Sequence, residues 1–471
     1  TPSAVSIRWR TQSLAPSIVA YGTNSGALTQ SVQELTPKRE HELRVTGLSQ
    51  SMKYFYAVSN LTTALASGAD YFFFTHPSAG TPKPTRVWVI GDCGTANTLA
   101  EENQRGVRDA YYDYASTRYT DVWLALGDNA YYDGSDENYQ VNFFDIYPTL
   151  LRQTAVWSTI GNHETSFAGP TWAYDDIFTF PANGEADGVL SGTERYYSFD
   201  YANIHFISLD SQVTSRSATG PMATWLKADL AVNTNPWIIA FFHHPPYTMG
   251  SHHSDTDVNH IEMRENIVPI LESYGVDLVL GGHSHIYERS MFLHGHYGDS
   301  FNLLASHILN AGSGRPGQGG AYLKAATGPR AGQGAVYVVA GSSGWATFRT
   351  GYHPAMFMDE LERGSLVLDI SSNRLDAVFL RDTGAIDDSF TIIKTEPVEI
   401  AMIRRANGAV VAEWKSKTGS NYRVERAVDI EAPDWQPVSN VITATGTTTS
   451  WTNGTPGSAD RSFYRVTEIG E

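Results

Sequence analysis

The sequence predicts a layered α/β fold carrying a small all-β unit at each end, and three observations predict it. Five β-like apolar runs, Val87–Ile90, Val122–Leu126, Val156–Ile160, Trp237–Phe242 and Leu278–Leu280, are separated by helix-length segments. Each run stops at a short polar block, as strands do when a site is built at one rim of a sheet. At both ends of the chain, by contrast, short strand candidates follow one another with only turn residues between them.

In chain order, residues 1–78 offer Ser6–Trp9, Ser17–Tyr21, His41–Val45, Lys53–Val58 and Tyr71–Thr75 as strands of a small sandwich. Thr81-Pro82-Lys83-Pro84 is a stiff linker. The central region, residues 85–394, holds the five runs, with helices expected over Glu101–Thr117 and Asn259–Tyr274. Asn310–Gly334 contains eight glycines but no Gly-x4-Gly-Lys-Ser/Thr phosphate loop, and is expected as a long surface loop. Ala335–Ala340, Leu366–Ile370, Leu375–Leu380 and Ser389–Ile393 are expected to form a second sheet. Residues 396–471 place strands at Val410–Trp414, Asn421–Glu425, Ser450–Thr452 and Phe463–Thr467, a second small sandwich. Tyr422-Arg423-Val424 and Tyr464-Arg465-Val466 echo one another, as paired strands can.

Composition narrows the class. At 471 residues the chain exceeds one ordinary core. Its 41% hydrophobic and 18% charged residues are those of a globular protein. A formal charge of −17 argues against binding nucleic acid through a basic surface. An anionic substrate would then need positive charge focused locally, which bound metals supply. No run of about 18 apolar residues spans a membrane. The single cysteine, Cys93, excludes an intramolecular disulfide. It follows a polar block residue and is expected to face the core. Asn60-Leu61-Thr62 and Asn453-Gly454-Thr455 match the glycosylation pattern, a match too short to carry weight.

The chemistry lies in the blocks: Gly91-Asp92-Cys93-Gly94, Gly127-Asp128-Asn129-Ala130-Tyr131, Gly161-Asn162-His163-Glu164, His243-His244-Pro245-Pro246-Tyr247 and Gly282-His283-Ser284-His285. Together they supply carboxylate, phenol, amide and imidazole donors, enough for two metal ions. Two close metals suit phosphoryl transfer. Singly, each residue has an ordinary explanation as turn, cap or packing; five in order do not.

The content and order of these blocks resemble the calcineurin-like metallophosphoesterases, and most closely the purple acid phosphatases, because Tyr131 stands three residues after Asp128. The resemblance covers roughly residues 85–394. It implies a two-sheet sandwich flanked by helices and a binuclear centre of Fe(III) with a divalent ion (Zn, Fe or Mn). Asp92, Asp128, Tyr131 and His285 look like the ferric ligands, and Asp128, Asn162, His243 and His283 like those of the divalent ion. The family's His-x-Pro-x-aromatic pattern fits His243, Pro245 and Tyr247, with His244 one residue out of step. His163, His252 and His253 look like substrate contacts, Glu164 like an orienting partner of His163, and Asp210 and Arg289 like supports that touch no metal. Val45-Thr46-Gly47-Leu48 with Tyr54-Phe55-Tyr56 resembles a fibronectin type III domain.

The implied activity is cleavage of small phosphate monoesters by a metal-bound hydroxide, with the histidines assisting the leaving group. The same centre serves phosphodiesters, phosphotriesters and diphosphates, and a non-catalytic binding protein on this scaffold is the rival of another class. Metal content separates that rival. The resemblance also implies a secreted, periplasmic or cell-surface enzyme whose signal peptide has been removed. Nothing in the sequence locates an oligomer interface.

Overall fold

The computed structural model describes the chain except residues 96–100, 167–171, 317, 319, 327–329, 396–397, 399, 407–408, 429–435, 454–461 and 470–471. Gly454 and Thr455 of the second glycosylation match therefore lie outside the described residues. Two units emerge: Thr1–Ala311 with Gly334–Ser389, and Gly312–Gln333 with Phe390–Glu471.

In the first unit, β1 (Ala4–Gly22), β2 (Gln30–Thr46), β3 (Lys53–Ser59), β4 (Ala64–Ala66) and β5 (Phe72–Phe74) share one hydrogen-bonded network. Two expected strands, Ser6–Trp9 and Ser17–Tyr21, are parts of the single long β1. Register shifts between Arg10 and Ala15 and between Ala15 and Ser17 bend it. Ile7 from before the bend joins Val19 and Tyr21 from beyond it in one core with Leu43, Val45, Tyr54, Val58 and Phe73. The sheet thus closes over its own apolar face.

The five apolar runs become β6 (Thr85–Ile90), β7 (Val122–Ala125), β8 (Val156–Ser158), β11 (Trp237–Phe241) and β12 (Leu278–Gly281). β6, β7 and β8 are parallel neighbours, as are β11, β12 and β10 (Ile204–Ser208). Every residue of β6, β7, β10, β11 and β12 is buried, which is why they read as unbroken apolar runs rather than alternating ones. The two parallel sets belong to different sheets. One runs Met356–Glu360, β13 (Tyr287–Ser290), Val336–Ala340, β12, β11, β10, β9 (Tyr197–Tyr201); the other includes Arg374–Arg381, Gly364–Ser371, β6, β7, β8. The expected grouping of the later strands into a sheet of their own is corrected. Leu278 pairs with Val336, whereas Leu366 pairs with Val89, so each sheet combines early and late strands.

The helix expected over Glu101–Thr117 spans Glu101–Ala115. That expected over Asn259–Tyr274 is Val258–Glu262, a wide π turn Met263–Ile267, and Val268–Ser273. Pro269 has no N–H to return to the preceding turn, which accounts for the widening.

In the second unit the Gly-rich segment is not all loop: Tyr322–Ala325 pairs in parallel with Ile392–Thr395. Ile400–Ala406, Ala409–Lys415 and Thr448–Asn453 form one sheet, and Asn421–Ala427, Gln436–Pro437, Ile442–Thr443 and Phe463–Ile469 another. Both sheets feed one core around Trp414, Tyr422 and Val424. The echoing segments are neighbours, with Val424 opposite Val466.

A buried ion cluster secures the outer sheet edge. His205 on β10 lies between Asp200 (2.7 Å) and Asp229 (2.8 Å), the latter on the helix Pro221–Val232. Burial opposes the imidazolium charge, but hydrogen bonds to both carboxylates outweigh it and raise the pKa from 6.5 to about 9. The stabilisation is therefore full below about pH 6.5 and lost as pH rises through about 9. His205→Gln should cost about 3–5 kcal/mol at pH 6, the usual effect of breaking a buried pair. The loss should shrink at pH 10, as read by denaturant unfolding at the two pH values.

Candidate functional site

All five blocks start where parallel strands end, and this brings the two sheets' rims together. Asp92 follows β6, Asp128 follows β7, Asn162 and His163 follow β8, His243 follows β11, and His283 follows β12. Three of these residues hold positive φ: Asp92 at 54°, Asp128 at 52° and His283 at 63°. A side chain in that region costs roughly 1–2 kcal/mol, and such strain gathers where geometry must be held for another purpose. The flanking glycines make room. A Cβ on Gly161 would overlap the Asp128 carboxylate, and one on Gly282 would lie 2.5 Å from Asp92 Oδ2.

Two donor sets result. The Tyr131 phenol oxygen lies 3.1 Å from Asp92 Oδ1, 3.2 Å from Asp128 Oδ2 and 3.0 Å from His285 Nε2. His243 Nε2 lies 3.0 Å from Asn162 Oδ1, 3.1 Å from His283 Nδ1 and 3.4 Å from Asp128 Oδ2. Asp128 faces both sets. His243 Nδ1 donates to the Leu126 carbonyl at 2.8 Å, so in the neutral ring Nε2 turns a lone pair toward atoms that also carry lone pairs. Asp92 and Asp128 are fully buried, and their ion-pair partners among the described residues are His163, His243 and His285. So much buried acceptor density fits a cation.

Electrostatics agree. Burial opposes charge on both Asp128 and His243, yet each favours the other's charged form: Asp128 falls to about 2 and His243 rises to about 10. Tyr131 is pushed well above the usual phenol range, first by burial and then by the Asp128 and Asp92 charges. A cation among these donors would reverse that push. Cys93 is buried, and burial raises its thiol pKa.

His244 is close to His243 and His283, but both its ring nitrogens have partners: Nδ1 meets Ser211 Oγ at 2.9 Å and Nε2 meets Asn259 Nδ2 at 3.3 Å. Asp210 shapes that support by accepting from the N–H groups of Gln212, Val213 and Thr214. Arg289 lies in a buried pair with Asp388, which also accepts from Tyr287. His163 Nδ1 donates to the Tyr132 carbonyl at 2.6 Å, which leaves Nε2 3.9 Å from Asp128. The His252 ring lies 3.8 Å from that of His283. His253 Nδ1 accepts from Asp255 N at 3.2 Å, so its proton sits on Nε2.

Glu164 departs from expectation. Its carboxylate accepts from the backbone N–H of Asp128 (2.8 Å), Asn129 (2.7 Å) and Gly161 (2.8 Å), and from Tyr139 Oη (3.2 Å). It ties the β7 loop to the β8 loop; the partner of His163 is the Tyr132 carbonyl. Two further supports were not foreseen. Fully buried Arg264 donates to Ser254 O (2.7 Å) and Pro246 O (3.2 Å), holding the loop that carries His252 and His253. His260, also buried, reaches the Pro245 carbonyl at 2.5 Å. No sequence signal marked Arg264, since Glu262 and Glu265 beside it read as ordinary helix-surface partners.

With this geometry in hand, the likeness to known proteins is specific. Residues 85–287 match the family model described as calcineurin-like phosphoesterase. These residues form a calcineurin-like phosphoesterase domain. Purple acid phosphatases are among the relatives of this chain. Purple acid phosphatase 15 of Arabidopsis thaliana is 27% identical over 53% of this chain and 49% of its own length. Probable purple acid phosphatase 20 of the same plant is 28% identical over 66% of this chain and 71% of its own. Purple acid phosphatase 23 is 36% identical over 53% and 57%. The chain thus spans about half the length of the first of these relatives. A purple acid phosphatase isolated from yellow lupin (Lupinus luteus) seeds shares the fold. It has a TM-score of 0.64 at 17% identity and covers 84% of this chain and 72% of its own. The family implies a binuclear metal centre, and among the described residues no helix is long and apolar enough to cross a membrane.

Glu164→Ala should leave three buried N–H groups without acceptors at about 1–3 kcal/mol each. The protein should lose at least about 3 kcal/mol in denaturant unfolding, whereas Glu164→Gln, which keeps one acceptor oxygen, should lose less.

Proposed function

We propose that this chain is a purple acid phosphatase-type binuclear metallohydrolase that cleaves phosphate monoesters. The observation that carries the reading is Asp128, whose carboxylate faces both donor sets within 3.4 Å. Asp92, Tyr131 and His285, with Asp128, form a hard anionic set suited to Fe(III). Asn162, His243 and His283, with Asp128, form a less charged one suited to divalent Zn, Fe or Mn. When bound, the two ions supply Lewis acidity and the positive charge that offsets a phosphoryl group in a protein of net charge −17.

The remaining work falls to the chain. His163, turned by the Tyr132 carbonyl, aims Nε2 at the space beside Asp128 where a phosphoryl oxygen would lie. In its imidazolium form His252 or His253 can hand a proton to a departing alkoxide and return to the neutral ring; the His252 ring lies 3.8 Å from that of His283. Arg264 keeps the loop of both rings from drifting, and proton transfer depends on that positioning. The relatives' names support acid phosphatase activity, and export from the cytoplasm is the compartment we assign on the same ground. The fibronectin-like and C-terminal β units, bounded at residues 1–78 and 396–471, contribute none of the site's side chains among the described residues and serve as flanking domains.

Elemental analysis tests the centre. The purified protein should hold about two metal ions per chain. Asp128→Ala should lose both, Asn162→Ala and His243→Ala chiefly the divalent one, and His244→Ala neither. Full occupancy in Asp128→Ala defeats the bridging assignment. With iron present, Tyr131 as a phenolate ligand should give a visible charge-transfer band that Tyr131→Phe bleaches. An iron-replete protein without that band removes Tyr131 from the ligand set.

Replacing His252 and His253 together by Ala should spare the metals while kcat falls roughly 10²–10⁴-fold. An alkyl phosphate should suffer more than an activated aryl phosphate, whose leaving group needs no proton. Equal losses on the two would assign the pair to phosphate binding instead.

A further inference from the structure

We propose that Glu288 is a positioning residue, which fastens the loop carrying His252 and His253 to the turn carrying His283 and His285 through an uncharged run of hydrogen bonds. The inference rests on the phosphatase reading above, because the work assigned there to His252 and His253 is what gives the placement of their loop a consequence.

The loop Thr248–Ser254 and the segment from His283 to Glu288 on β13 exchange serine contacts. His285 N donates to Ser251 Oγ at 2.9 Å, and His252 N donates to Ser284 Oγ at 3.4 Å. Between them Gly250 approaches so closely that a Cβ there would lie 2.4 Å from Ile286 Cγ2 and 2.5 Å from Ser284 Oγ. Glu288 holds the start of the same loop with both carboxyl oxygens. Oε1 accepts from Met249 N at 3.1 Å, and Oε2 meets the Thr248 hydroxyl. That hydroxyl lies 2.9 Å from Ser284 Oγ and accepts from Gly250 N at 3.1 Å. Glu288, Thr248 and Ser284 are all buried. A run of hydrogen bonds therefore leads from Glu288 through Thr248 and Ser284 to the backbone of His252.

The surroundings decide the protonation of Glu288. On β13 it stands opposite Asp359 of one neighbouring strand and Val339 of the other, a second carboxylate and an apolar side chain. Arg349, the cation beside them, pairs with Asp359 at 2.7 Å, and the loop side carries the imidazoles of His252 and His253. Burial, the largest cause, and the Asp359 charge raise the Glu288 pKa from 4.5 to about 7, against the hydrogen bonds from Thr248 and Met249 and the Arg349 charge. In the acid form Oε2–H donates to Thr248 Oγ1, whose own proton then goes to Ser284 Oγ, and no buried charge arises. Loss of the acid proton puts an uncompensated anion beside Asp359, and the water that solvates it displaces the loop.

The test uses the metal-loaded full chain with glycerol phosphate at pH 6 and pH 8. Amide hydrogen exchange over Met249–Ser254, expressed as protection factors, reads the loop independently of turnover. Glu288→Gln keeps the acid's arrangement, with an amide N–H in place of the acid O–H. Its kcat should match the parent protein's within about twofold at pH 6 and exceed it about tenfold at pH 8, the ratio that titration of one carboxyl near 7 gives. Alkaline losses from the histidines are common to both proteins and cancel in that ratio. Loop protection should follow the same ratio, with metal content unchanged. Glu288→Ala should lower kcat about 10–100-fold at both pH values with the metals still bound, the scale of a misplaced acid–base group. The proposal is overturned by a Glu288→Gln variant that is impaired at pH 6, declines at pH 8 as the parent does, or loses metal. If the parent hydrolyses no ester while loop protection still follows Glu288, the phosphatase reading falls and the fastening of the loop stands.

Discussion

Glu164 is the constraint on which the rest of the site depends. A carboxylate buried beneath two others would ordinarily be expelled or protonated, and burial, followed by the Asp128 charge, does raise its pKa. It is held by three backbone N–H groups belonging to Asp128, Asn129 and Gly161. Those bonds fix the two turns that carry Asp128, Tyr131, Asn162 and His163. Asp128 can then remain anionic, with His163 N donating to one oxygen and the other facing Tyr131 and His243. Remove the clamp and the positive-φ turn at Asp128 loses what offsets its strain.

The site divides into a rigid floor and an accessible edge for the same reason. Asp92, Asp128 and His243 are fully buried, and the glycines around them leave no space to adjust. His163, His252 and His253 are only partly buried and stand on loops. Groups that fix charge require exclusion of water, whereas groups that exchange protons with a substrate require access. Arg264 mediates between the two. From a fully buried position it secures the edge loop by its backbone, so side chains of that loop stay open without the loop itself being loose.

The strands that build the site were legible because β6, β7, β11 and β12 are buried throughout, and because every block but the one after β11 opens on Gly followed by a donor. Val122–Ala125 before Gly127-Asp128 is the plainest case. The donors were legible because residue type and order together exclude coincidence. Sheet membership was not: Val336–Ala340 and Leu366–Leu368 are both apolar runs, and only long-range register assigns them to different sheets. Nor was the role of Glu164, since a carboxylate beside His163 in sequence invites a side-chain partner, while its actual partners are backbone groups that no sequence pattern marks. The β1 bend was hidden likewise, because bulges redistribute hydrogen bonds without changing composition.

Net charge completes the physical picture. A surface carrying −17 repels phosphate esters at long range, so association gains nothing from steering and selectivity must arise at contact. Screening at physiological ionic strength confines that repulsion to roughly 8 Å. Inside this distance the centre's cations would dominate, and beyond it the repulsion is largely screened out. An acidic exterior around a locally cationic floor therefore weakens capture only modestly.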